Sequence, residues 1–212
     1  MSDLPEESRR IELIIERLTL QYGGVTSFLE YETPFELLIA VILSAQTTDR
    51  QVNLITPNLF ERFATPGALA QAETSELEAL LHSIGFFRAK ARNIKATAAL
   101  IAGRFGGVVP ESMEDLTSLP GVGRKSANVI RGTIFGKPAI IVDTHCGRVA
   151  RRLGLTAADD PTKVELEVAG KVPPDLQMKL SMLLNKHGRV FCHARKPLCD
   201  SCPIATFCPF SR

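Results

Sequence analysis

At Thr33-Pro34, Thr65-Pro66 and Asp160-Pro161 of this chain of 212 residues, a helix-capping side chain is followed at once by proline in a context that opens a helix. A capping oxygen accepts an otherwise orphaned amide, and proline at the first helical position has no amide to lose. Each pair therefore fixes a helix start. Thr33-Pro34-Phe35-Glu36 adds a glutamate three residues after the cap, a capping box, and opens an apolar helix that is expected to end near Ala45. Residues 6–20 place Ile11, Ile14, Ile15 and Leu18 on one helical stripe. Thr48 or a neighbour starts a helix carrying Val52, Ile55, Leu59 and Phe60, in which Pro57 predicts a bend or an early break. Further helices are expected at Ser75–Leu81, ended by Gly85, from Phe87 to about Phe105, from the Ser112 cap, over 124–135, and from Pro173-Pro174-Asp175 to about Arg189. Only Ala139–Val142 reads as a strand, or as an extended connection. The expected fold is mainly α, without an internal repeat, low-complexity stretch or disordered linker.

The length allows one large domain or two small ones with a real core. The longest apolar run, Phe35–Ala45, carries Glu36 and is shorter than the roughly 18 residues a membrane span needs. The acidic, polar start MSDLPEESRRIE is unlike a secretory signal. No membrane partner is expected, and the protein reads as soluble, intracellular and cytoplasmic. The net charge of +2 hides an uneven distribution. Residues 1–85 carry a net −8 and residues 86–155 a net +8. A basic middle suggests one positive face for a polyanion, unless folding intermixes the charges.

Within that basic stretch lies LPGVGRKSA, residues 119–127. Gly121 and Gly123 are read as opening backbone conformations closed to other residues and as letting a ligand approach closely. The helix that follows presents its first amides and the positive end of its dipole, with Arg124 and Lys125 in its first turn. On these residues alone the turn is either a phosphate clamp or a sharp connection between helices.

Four of the five cysteines fall in the last 21 residues with the spacing C-x6-C-x2-C-x5-C: Cys192, Cys199, Cys202 and Cys208. Without a secretory signal such clustering favours a metal site over disulfides. The spacing suits tetrahedral zinc or an iron–sulfur cluster and does not choose between them. Cys146 stands apart from the quartet, either as an inert thiol or as a fifth ligand.

LPGVGRKSANVI with IVDTH (141–145) at the expected interval resembles the helix-hairpin-helix DNA glycosylases. LSAQTTD (43–49), IGFFRAKARNI (84–94) and HGRVFCHARKPLCDSC (187–202) extend the similarity over nearly the whole chain, to the endonuclease III family. The resemblance implies two helical domains flanking a DNA-binding groove: a six-helix domain over 27–137 containing the hairpin, and a discontinuous domain of 1–26 and 138–212. The second domain would carry a 4Fe–4S cluster on the loop 192–208. It implies a monomeric, nucleoid-associated bifunctional glycosylase and abasic-site lyase that removes oxidised pyrimidines such as thymine glycol from duplex DNA.

In that reading Lys125 is the amine that attacks the sugar and Asp143 the carboxylate that activates it. Without the resemblance, Lys125 would be a phosphate contact and Asp143 a helix cap. Gln46 would fill the gap left by the extruded nucleotide, and Phe86, where the family more often has leucine, would be a second wedge. Their alternatives are a helix-end cap for Gln46 and a core position for Phe86. Gly121, Gly123, Arg124, His145, Arg189, Arg195 and Lys196 would meet the DNA backbone, although a structural role suits His145 equally well. The adenine or mismatch glycosylases of the same superfamily are the nearest alternative, and generally lack this lysine. A non-catalytic DNA-binding or redox-sensing iron–sulfur protein would need neither Lys125 nor Asp143.

Overall fold

The computed structural model describes residues 6–24 and 29–211; residues 1–5, 25–28 and 212 lie outside that description. The first five residues of the polar N-terminal stretch and the expected boundary at residues 26 and 27 fall among the latter. The described residues form eleven α-helices followed by three short 3-10 turns, with no strand. The chain divides into two compact units, one made of Ser27–Gly136 and one of Met1–Thr26 with Lys137–Arg212.

In the first unit α2 (Pro34–Leu43) is the centre. Every residue from Leu37 to Leu43 is buried, together with Phe35, so the helix is apolar all round, as a helix enclosed by others must be. Half of the capping box forms: Thr33 Oγ1 accepts from the Glu36 amide, while the Glu36 carboxylate reaches one residue beyond the cap and accepts from the Glu32 amide. Helix α2 packs against α3 (Asp49–Arg62), α6 (Phe87–Gly103) and α8 (Arg124–Phe135). The short helices α4 (Pro66–Gln71) and α5 (Thr74–Leu81) lie on α6, and α7 (Met113–Thr117) lies on α8.

Two expectations need correction here. Helix α2 stops at Leu43, two residues early, where Ser44 closes it and the chain turns. Pro57 does not end α3, which runs through it to Arg62. Pro57 is exposed on the outer face of α3, while buried Val52, Thr56 and Leu59 hold the opposite face.

The second unit is built on α11 (Pro174–Val190), which packs on α1 (Glu6–Tyr22) and α9 (Thr144–Arg152), with α10 (Pro161–Ala169) against α9. Ile11, Ile14 and Leu18 join Val149, Leu180 and Leu184 in its core. A Cβ on Gly188 would come within 2.9 Å of the His145 Cβ, so glycine is what lets α9 and α11 approach this closely. Residues Ala139–Val142 are an extended connection and not a strand.

Candidate active site

The hairpin joins α7 to α8. Gly121 has φ +82°, a region that L side chains rarely enter, and a Cβ there would stand 3.0 Å from both Asn93 Nδ2 and Ile42 Cγ2. Buried Leu119 and Val122 anchor the turn on either side, and Thr97 Oγ1 on α6 donates to the Pro120 carbonyl at 3.0 Å. Gly123 differs from the expectation. Its φ of −93° is open to any residue, and a Cβ there would meet nothing within 4 Å. What its missing side chain leaves is bare backbone at the start of α8, whose N-cap makes no side-chain hydrogen bond. Arg124 and Lys125 are both exposed in the first turn of that helix. Gly121→Ala is expected to destabilise the protein by about 2–4 kcal/mol through strain and overpacking, and Gly123→Ala to change stability by less than about 0.5 kcal/mol, as read by urea unfolding.

Asp143 sits in the other unit as the N-cap of α9. Its Oδ1 accepts from the Cys146 amide at 2.7 Å, and its Oδ2 accepts from Asn185 Nδ2 on α11 at 2.5 Å. The carboxylate does cap the helix, and that role fixes its orientation without consuming its charge. The Asn185 Oδ1 is buried without a hydrogen-bond partner among the described residues. The Cys146 thiol is 1% exposed, and burial followed by the nearby Asp143 charge pushes its ionisation well above the usual range, as suits an inert side chain. His145 Nδ1 pairs with Arg148 Nη2 at 3.1 Å, and the same nitrogen of Arg148 donates to the Gly188 carbonyl at 2.8 Å. His145 is thus half-buried and built into the α9–α11 packing.

Gln46 and Phe86 share a property that sequence patterns do not show. Among the described residues they are the two non-glycine positions with positive φ, at 53° and 59°. A left-handed conformation costs such residues about 1–2 kcal/mol each. Phe86 is 67% exposed, so it is not a core residue, and Gln46 is exposed at the turn that follows α2. Ser44, and not Gln46, closes that helix. Both left-handed positions carry side chains that are exposed to solvent.

The four C-terminal cysteines line one pocket together with His187, Arg152 and Phe210, and none forms a disulfide. Among the described residues no three His, Cys, Asp or Glu side chains converge on one point as a single metal ion requires. Four thiols lining one pocket are a donor set suited to an iron–sulfur cluster. The surrounding donors fit it as well. Arg152 Nη1 donates to Cys192 Sγ at 3.1 Å, while its guanidinium also holds the His193 and Ala194 carbonyls, each at 2.8 Å. Burial lowers the His187 imidazole to about 4, which keeps the ring neutral. Burial holds the Tyr22 hydroxyl protonated, so it donates to His187 Nδ1 at 2.8 Å. The remaining ring proton is then on Nε2, 3.4 Å from Cys202 Sγ. Arg195 and Lys196, on the loop between the first two cysteines, and Arg189, at the end of α11, are exposed. Sequence reasoning missed Asn185, Arg152 and His187, whose partners lie 15 or more residues away along the chain.

Residues 39–174 match the model of the HhH-GPD superfamily of base excision DNA repair proteins, and residues 192–208 match the iron–sulfur binding domain of endonuclease III. Endonuclease III of Synechocystis is 45% identical over 99% of this chain and 94% of its own length. Endonuclease III of Escherichia coli is 39% identical over 96% of each. Among solved structures, a trapped endonuclease III–DNA covalent intermediate superposes with a TM-score of 0.89 at 38% identity, covering 98% of both chains. A thermostable thymine-DNA glycosylase at 22% identity, with a TM-score of 0.85, shares the fold.

Proposed function

Because the chain belongs to the endonuclease III family of base excision DNA glycosylases, whose members are abasic-site lyases carrying a 4Fe–4S cluster, we propose that it removes oxidised pyrimidines from duplex DNA through a Schiff base on Lys125. Cys192, Cys199, Cys202 and Cys208 hold the cluster, which supplies a rigid scaffold for the C-terminal loop. Supporting the covalent route is the trapped covalent intermediate of the relative with 38% identity. The observation that carries the reading for this chain is the placement of Lys125. It stands exposed in the first turn of α8, directly behind a bare glycine backbone suited to a phosphate.

A base within the duplex cannot present its sugar to an amine, so the nucleotide is first extruded. Gln46 and Phe86, exposed at left-handed positions, enter the vacated space, and the aromatic ring stacks on neighbouring bases. Backbone amides at Gly121 and Gly123, with Arg124, grip phosphate; Arg189 at the end of α11 adds a further cation, as do Arg195 and Lys196 on the cluster loop. His145 steadies α9 from within and reaches the backbone only secondarily.

A lysine amine attacks only when neutral, and normally titrates near 10.4. The nucleophile therefore has to give up a proton before it attacks. Asp143 accepts the proton that Lys125 Nζ releases and offsets the positive charge that grows on the sugar as the base departs. Attack of Nζ on C1′ expels the base and opens the ring to an imine. Removal of a C2′ proton then breaks the C3′–O bond, which cuts the strand on the 3′ side.

The partner is duplex DNA bearing damaged pyrimidines or abasic sites, bound by one copy of the chain inside the cell. No described helix is long and apolar enough to cross a membrane. Incubation with duplexes that each carry one defined lesion tests the reading. Nicking is expected at thymine glycol and at an abasic site, and no reaction at adenine opposite guanine. Excision of that adenine without a nick would assign the chain to the mismatch branch.

A further inference from the structure

Helix α6 carries on one face, at spacings of four, three and four, Phe86 at its N-cap and then Lys90, Asn93 and Thr97. Asn93 packs against the hairpin, its Nδ2 3.0 Å from where a Cβ on Gly121 would stand, and Thr97 holds the Pro120 carbonyl. Lys90 is the unexpected member. It is 4% exposed, and its ammonium makes one hydrogen bond among the described residues, to Thr47 Oγ1 at 2.6 Å. Thr47 follows Gln46, and its amide donates to the Ser44 carbonyl to close the same turn. The Lys90 amide donates to the Phe86 carbonyl at 3.0 Å. One residue is thus bonded to the turns behind both left-handed side chains.

A buried ammonium facing only a neutral hydroxyl is a poor stabiliser, because desolvation of the charge is not offset by a counter-ion. Methionine has nearly the same length and would fill the space without that cost. Burial also lowers the ionisation range of Lys90, the direction in which a costly charge moves. The residue therefore spends stability, and what its hydrogen bond specifies is the position of the 44–47 turn against the start of α6.

We propose that Lys90 is a positioning residue that locks the Gln46 turn and Phe86 to each other, so that the two side chains enter the DNA stack as one unit. This rests on the reading that Gln46 and Phe86 are inserted. Neither the chemistry at Lys125 nor the phosphate grip involves Lys90 directly.

The test uses 2-aminopurine opposite a non-reactive abasic analogue, whose fluorescence follows insertion, together with single-turnover excision of thymine glycol and thermal unfolding. Lys90→Met and Thr47→Val are each expected to slow insertion and excision by about tenfold, the scale of one charge-assisted hydrogen bond. The double variant is expected to be no slower than either single one, and Thr47→Ser to match the wild type. Cleavage of an abasic site in single-stranded DNA, which has no stack to enter, is expected to be unchanged. Lys90→Met should unfold at the wild-type temperature or above it. Wild-type insertion rates in Lys90→Met and Thr47→Val would overturn the proposal. So would equal losses in every assay that track a lowered unfolding temperature. Gln46→Ala and Phe86→Ala run alongside: if neither alters the fluorescence change, the insertion reading itself fails, and this inference with it.

Discussion

Lys125→Ala is expected to fold and to bind an abasic duplex, yet to cleave it more slowly by roughly 10⁴-fold, the scale seen when a covalent nucleophile is removed. The fold should tolerate the change because Lys125 is exposed on α8 and alanine is the best helix former. Binding should persist because Gly121, Gly123 and Arg124 are intact. Single-turnover nicking of an abasic duplex, with binding measured at the same protein concentration, separates the two effects. If Lys125 served only as a phosphate contact, the variant would instead bind less tightly, depend less steeply on salt, and cleave normally at saturation.

Asp143→Asn has the second largest expected effect, and the local hydrogen bonds explain why its fold should survive. An asparagine oxygen can still accept from the Cys146 amide and cap α9. Its new amide group would face Asn185, whose Oδ1 has no hydrogen-bond partner among the described residues. Rotation of the Asn185 amide turns that oxygen to accept, so no donor is left opposing a donor. The lost quantity is the negative charge. Excision of an intact base, where positive charge builds on the sugar, should fall by about 10³–10⁴-fold. Cleavage of an abasic site already lacking its base should fall less. Equal activity of Asp143→Asn and wild type on thymine glycol would leave the carboxylate as a cap alone.

How far the sequence could be read depended on the range of the interaction. The cap-proline pairs at Thr33, Thr65 and Asp160 are local devices, and all three start helices in the structure. Pro57 misled because the force that keeps α3 continuous is burial of Val52, Thr56 and Leu59 against other helices, which a local rule does not see. The basic middle of the chain was legible as charge but not as direction. Lys90 is buried, as are its neighbours Ala91, Ile94 and Ala98 on the same helix. Arg148 and Arg152 likewise turn toward backbone carbonyls of the cysteine segment. Part of the net +8 over residues 86–155 is therefore internal scaffolding, and the cationic face is smaller than the charge count suggests.

The catalytic and cluster candidates were legible because each sits in a contiguous motif. Their support was not. Asn185 meets Asp143 across 42 residues, and Arg152 meets Cys192 across 40. Positive φ at Gln46 and Phe86 was equally hidden, since neither residue type advertises a left-handed backbone as glycine does.

The central claim is that one particular amine of this chain bonds to the sugar. Borohydride reduction during reaction with an abasic duplex, followed by digestion and mass spectrometry of the DNA-linked peptide, examines it directly. The account requires a single adduct on the Nζ of Lys125. An adduct carried by any other amine, or strand cleavage with no adduct formed, would contradict it.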